Sequence, residues 1–73
     1  MSIQMDHYSI RIQWSVPDNL YIAEVPELPG CRTHGKTYEK ALKNIREVIP
    51  IWIDATTSQG WPVPAPSVLA EDV

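Results

Sequence analysis

From Tyr8 to Val16 apolar and polar side chains alternate without a fault: Tyr8, Ile10, Ile12, Trp14 and Val16 fall on one side, Ser9, Arg11, Gln13 and Ser15 on the other. A period of two predicts a strand with one buried face. Pro17-Asp18-Asn19 then predicts a hairpin turn, because proline presets φ at the first turn position while Asp and Asn tolerate a tight, partly left-handed backbone. The return strand runs from Leu20 to Val25, and both of its sides carry apolar groups, Leu20 and Ile22 on one, Tyr21, Ala23 and Val25 on the other. Periodicity leaves open which side meets the core. A strand apolar on both sides is expected to be at least partly covered on both, with another subunit as one possible cover.

Pro26 has no N–H for a sheet ladder, so the strand is expected to end there. Glu27-Leu28-Pro29-Gly30 reads as a turn with Pro29 and Gly30 as the central pair of a type II geometry, since glycine accepts positive φ without steric cost. A short third strand is expected over Cys31 to Gly35. Thr37 is then placed to cap a helix, with Glu39 in the first turn where the helix dipole favours an acid.

The helix carries Ala41, Leu42, Ile45, Val48, Ile49, Trp52 and Ile53 in one stripe at a period of 3.6, wide enough to lie across a small sheet. Pro50 interrupts the stripe and predicts a kink, because it removes one donor and crowds the carbonyl four residues earlier. The apolar stripe is expected to hold the second half, to about Gln59, in place. Gly60 predicts the stop, with Trp61 folding back on the last turn. Pro62 to Pro66 must be extended, and Ser67 to Val73 is expected as a short strand or a tail. With no repeat and no linker, residues 1–73 read as one domain.

Seventy-three residues bury only a small core, which makes self-association, as a dimer or tetramer, the default expectation. The net charge is −3 and the basic residues form no cluster: Lys36, Lys40, Lys43 and Arg46 share the helix region with Glu39 and Glu47. That argues against direct nucleic-acid binding and for a cationic protein partner. The single cysteine excludes an intrachain disulfide and fits a reducing cytoplasm. No apolar run approaches membrane-spanning length, and the first residues lack the pattern of a secretory signal.

Cys31 and His34 invite a metal or nucleophile reading, but zinc needs three or four protein ligands and an i, i+3 pair on a strand points to opposite faces. Both are better read as structural. Asp6, Asp18, Glu24, Glu27, Glu47 and Asp54 are too scattered for the converging carboxylates of a two-metal nuclease. No cofactor, metal or catalytic residue is expected. Pro26-x-x-Pro29 and Pro62-x-Pro64-x-Pro66 are better read as a rigid turn and a rigid exit than as polyproline ligands. Trp14 and Trp52 are expected in the core.

Taken together, Val25-Pro26-Glu27-Leu28-Pro29-Gly30-Cys31, Thr33-His34-Gly35-Lys36-Thr37, then Ala41-Leu42 and Asn44 resemble the HicB-like antitoxin domain over most of the chain. The resemblance implies an α+β fold, a partial RNase H-like arrangement of a three-stranded antiparallel sheet and one helix that lacks a catalytic site. It also implies a small basic HicA-type RNA-cleaving toxin as partner. Many members add a C-terminal DNA-binding segment, which this chain, read to Val73, is expected to lack; Pro50 departs from the family's usual unbroken helix. The expected partner contacts are Glu24, Glu27, Leu28 and Trp61, with Pro26, Pro29, Gly30, Gly35 and Thr37 as structural turn and cap. The competing expectations are an orphan self-associating adaptor without a toxin and a residual nuclease.

Overall fold

The hairpin turn fixes the first strand pairing. Asn19 takes φ 56°, in the left-handed region, and its N–H donates to the Ser15 carbonyl at 2.8 Å. Across this turn β1 (Arg11–Ser15) pairs antiparallel with β2 (Leu20–Glu24), Arg11 opposite Glu24, Ile12 opposite Ala23 and Trp14 opposite Tyr21. On its other side β2 pairs antiparallel with β3 (Arg32–Gly35), which puts Ala23 opposite Thr33 and Tyr21 opposite Gly35. The sheet therefore has the order β1-β2-β3, and α1 (Tyr38–Ser58) lies over one of its faces. The result is the expected β-β-β-α, α+β arrangement. The computed structural model describes residues 5–69, with a short 3-10 turn at Met5–His7 ahead of β1. No strand forms over residues 67–69, and the rest of the expected terminal strand lies outside the described residues.

Burial settles which side of β2 faces the helix. Ala23 and Val25 are fully buried with Tyr21 beside them, whereas Leu20 and Ile22 are half-buried on the opposite face. From the helix come Ala41, Ile45, Ile49 and Ile53, an i, i+4 row that meets Leu28, Cys31 and Tyr8. Leu42, Val48 and Trp52 pack at its margins. This row passes Pro50 on both sides, and α1 continues through it as one element; the missing proline N–H falls on the exposed side of the helix.

Local chemistry sets both ends of α1. The Thr37 hydroxyl oxygen accepts the Lys40 N–H at 3.0 Å, a cap that contributes about 1 kcal/mol. At the other end the Gly60 N–H reaches the Thr57 carbonyl and the Trp61 N–H reaches the Thr56 carbonyl, the paired bonds of a Schellman stop. Between cap and sheet the fit is close: a Cβ on Gly35 would stand 2.4 Å from the Ala41 nitrogen and 2.8 Å from its Cα. Only glycine lets β3 and the first turn of α1 approach this far.

One expectation about the core is overturned. Trp14 is 48% exposed and Val16 79% exposed, although both continue the apolar side of β1. The reason is geometric: α1 packs chiefly on β3 and β2 and barely on β1, so the end of β1 projects past its cover.

Candidate interaction surface

The connection between β2 and β3 is the most constrained loop in the fold. The Leu28 N–H donates to Val25 O at 3.0 Å, the Cys31 N–H to Leu28 O at 2.9 Å, and the Val25 N–H to Cys31 O at 3.0 Å. Gly30 has φ 80°, which with the Leu28–Cys31 bond makes Pro29-Gly30 the centre of the expected type II turn. The Trp52 indole N–H then donates to the Pro29 carbonyl at 3.0 Å, tying the turn to α1. Pro26 and Pro29 are exposed and stiffen the loop's outer side.

The four expected contact residues fare differently. Leu28 is 1% exposed and belongs to the core, so it anchors the turn and offers no side-chain surface. Glu24 is held across the sheet: Arg11 bridges it at 2.6 Å, and Arg32 stands opposite on β3. The Arg11 hydrogen bond, foremost, lowers the Glu24 pKa below the ordinary carboxylate range. Glu27 is also engaged, accepting the Ser9 N–H at 3.1 Å, the Ser9 hydroxyl at 3.0 Å and the Ser67 N–H at 2.9 Å. Burial alone would raise its pKa, but these donors outweigh burial and lower it. Trp61 remains open, its side chain 64% exposed.

Spacing alone could not show these engagements, since the Arg11–Glu24–Arg32 row appears only once the strand registers are known and Glu27 joins segments 18 and 40 residues away. A long-range tie of the same kind links the Tyr8 hydroxyl, as donor, to the Pro64 carbonyl and brings the exit segment back over the start of the sheet. Between Arg11 and Arg32 lies a shallow depression of about 240 Å³ whose floor includes Val25, Leu28 and Cys31. On the helix-covered face, Trp14 meets Tyr21 edge-on at 5.0 Å and Tyr21 meets Tyr38 at 5.9 Å. Trp14 and Tyr38 at the ends of this row are both about half exposed.

Cys31 is 1% exposed and burial pushes its thiol pKa up, which disfavours the thiolate that nucleophiles and metal sites require. His34 points to the exposed side of β3, away from it. Among the described residues no group of three or more His, Cys, Asp or Glu is arranged to hold a metal ion, and no helix is long and apolar enough to cross a membrane. What the surface does present is hydrogen-bonding, charged and aromatic groups on a rigid frame, the material of a binding module.

The fold is that of a small α+β module with one helix on an antiparallel sheet. Residues 8–73 match the family of HicB-like antitoxins of bacterial toxin–antitoxin systems, and the chain belongs to that family. A UPF0150 protein of Synechocystis is 31% identical over 93% of this chain and 85% of its own length. Another, from Thermoplasma acidophilum, is 43% identical over 64% of this chain and 68% of its own. A Helicobacter pylori UPF0150 protein reaches 50% identity over 49% of this chain and 50% of its own.

Proposed function

We propose that this domain is a non-enzymatic antitoxin that binds a small basic toxin of the HicA type and occludes its catalytic and RNA-binding face. The single observation that carries the reading is membership of the HicB-like antitoxin family across residues 8–73. The net charge of −3 supports it, because a net negative protein steers a cationic partner and speeds encounter. Self-association and a cytoplasmic setting are part of the same proposal.

The structure shifts where the acidic contact is best sought. Glu24 and Glu27 are engaged within the chain, so a cationic partner would have to compete with Arg11, Ser9 and Ser67 for them. Glu39 and Asp54 instead stand on the exposed side of α1 with Ile51, 68% exposed, whereas Glu47 is bridged to Lys43 at 3.0 Å. Exposed acids near an apolar residue suit a basic protein surface better than carboxylates already held by donors within the chain.

Co-expression with a basic protein encoded beside this gene is the test. The expected result is restored growth and a complex that survives purification, with association slowing as salt rises. Glu39→Lys combined with Asp54→Lys should weaken the complex while leaving the fold intact. Failure of both rescue and complex would remove the antitoxin reading and leave an orphan adaptor in its place.

A further inference from the structure

We propose that the outer edge of β1, unpaired among the described residues, is a homodimer interface, at which β1 of a second copy pairs antiparallel in a register centred on Gln13. The inference rests on the self-association proposed above and gives it an interface, while the toxin partner itself is not required. Its starting point is an apolar alternation that outruns the fold's own cover. Tyr8, Ile10, Ile12, Trp14 and Val16 keep one side of the strand apolar, yet α1 leaves Trp14 48% and Val16 79% exposed.

The backbone direction is set by the hairpin. The Asn19 N–H turns the Ser15 carbonyl towards β2, and the alternation of an antiparallel strand then turns the groups of Gln13 and Arg11 the same way. The N–H and C=O of Ile12 and Trp14 therefore point out of the sheet edge. A second β1 centred on Gln13 sets Ile12 against the partner's Trp14, so these outward groups bond to one another. On the helix-covered face the same register sets Ile10 against the partner's Val16, so that every apolar residue from Ile10 to Val16 gains an apolar neighbour. A groove of about 260 Å³ already opens beside Ile10, lined by Tyr8, Ile49 and Pro50 with Asp6 and Arg46 at it too, where the partner's Val16 would meet its apolar part.

The other face supplies charge complementarity. The Ser15 hydroxyl donates to an Asp18 carboxylate oxygen at 2.8 Å and holds that acid at the end of β1. In the register centred on Gln13, Ser15 lies opposite the partner's Arg11, so Asp18 comes beside a guanidinium that also bridges Glu24 within its own chain, twice by symmetry. Shifting the register by two residues in either direction takes Arg11 out of the position directly opposite Ser15. The contact is isologous and closes on itself, as a two-fold dimer requires.

Gln13→Cys tests both the interface and its register. Directly opposite residues that are not hydrogen-bonded partners have Cα atoms about 4.5 Å apart, within disulfide range. Mild oxidation is expected to yield a covalent dimer of Gln13→Cys, whereas Val16→Cys, about 20 Å from its copy in this register, should not cross-link. Native Cys31, 1% exposed, stays out of reach. Trp14→Lys, at a position already half exposed, should keep its circular dichroism and lower self-association at least tenfold by sedimentation. A wild-type chain that stays monomeric across micromolar to millimolar concentration would overturn the proposal, even if a strand of another protein then occupied the edge. So would a dimer in which Val16→Cys cross-links and Gln13→Cys does not.

Discussion

The two edges of this sheet are finished differently. β3 has four residues, follows a proline-glycine turn, and lies so close to α1 that Gly35 has no room for a Cβ. Asn44 on the helix donates its side-chain amide to the His34 carbonyl at 2.8 Å, satisfying a backbone group of the edge strand itself. β1 has none of these protections. It contains no proline, glycine or lysine, carries one charged residue in Arg11, and runs out through Trp14 and Ser15 to an exposed Val16 just past its end. Proteins blunt the strand edges they leave to solvent. Among the described residues the contrast therefore separates an edge closed within the chain from the one that the proposed dimer would close.

The largest test of the closed edge is Gly35→Ala. The added Cβ would collide with backbone, which cannot swing aside, so we expect a loss of about 3 kcal/mol or more, as for a severe overpacking change. Thermal unfolding reads it directly, at roughly 4–8 °C per kcal/mol for a domain of this size. A melting temperature within experimental error of wild type would show that β3 and α1 are not locked together.

Gly30→Val comes next. Space is open around Gly30, so the cost is conformational: φ 80° in a β-branched residue is expected to cost about 2 kcal/mol, visible as a lower denaturation midpoint. Asn44→Ala should cost about 1 kcal/mol, the usual worth of one hydrogen bond. Its sharper readout is faster exchange or new association at β3, because it removes one protection of the closed edge.

The smallest effect concerns the clamp at the start of β1. The folded Glu27 pKa lies below its unfolded value, so its stabilisation is fully present above the ordinary carboxylate range and is lost as pH falls through the lowered folded value. The Ser67 amide should be protected relative to its intrinsic exchange rate at neutral pH and lose that protection on acidification. In Glu27→Gln that protection should already be weaker at neutral pH and change little with pH. An unchanged profile would remove Glu27 as the clamp.

Much of this was legible in sequence because it was local. The period of two, the Asn19 turn, the Pro29-Gly30 turn, the Thr37 cap and the stop at Gly60 each depend on a few neighbouring residues. The failures depended on relative placement. The alternation placed Trp14 on the correct side of its strand but could not show that α1 stops short of it. Leu28 looked like a turn-tip residue because its neighbours are prolines and a glycine, yet the turn folds its side chain inward. Glu24 and Glu27 looked like free acids because Arg11, Ser9 and Ser67 are distant in the chain and adjacent only in the fold.

The most direct measurement of the edge contrast is amide hydrogen exchange at Ile12 and Trp14, read residue by residue as protein concentration is raised. Both N–H groups point out of β1, away from β2, so within a single chain they face solvent and should exchange quickly. The expected result is protection that grows with concentration and is lost in Trp14→Lys, while the β2 amides remain slow throughout. Fast exchange at Ile12 and Trp14 at every concentration would mean that β1 is simply an uncovered edge, and the contrast would carry no functional meaning.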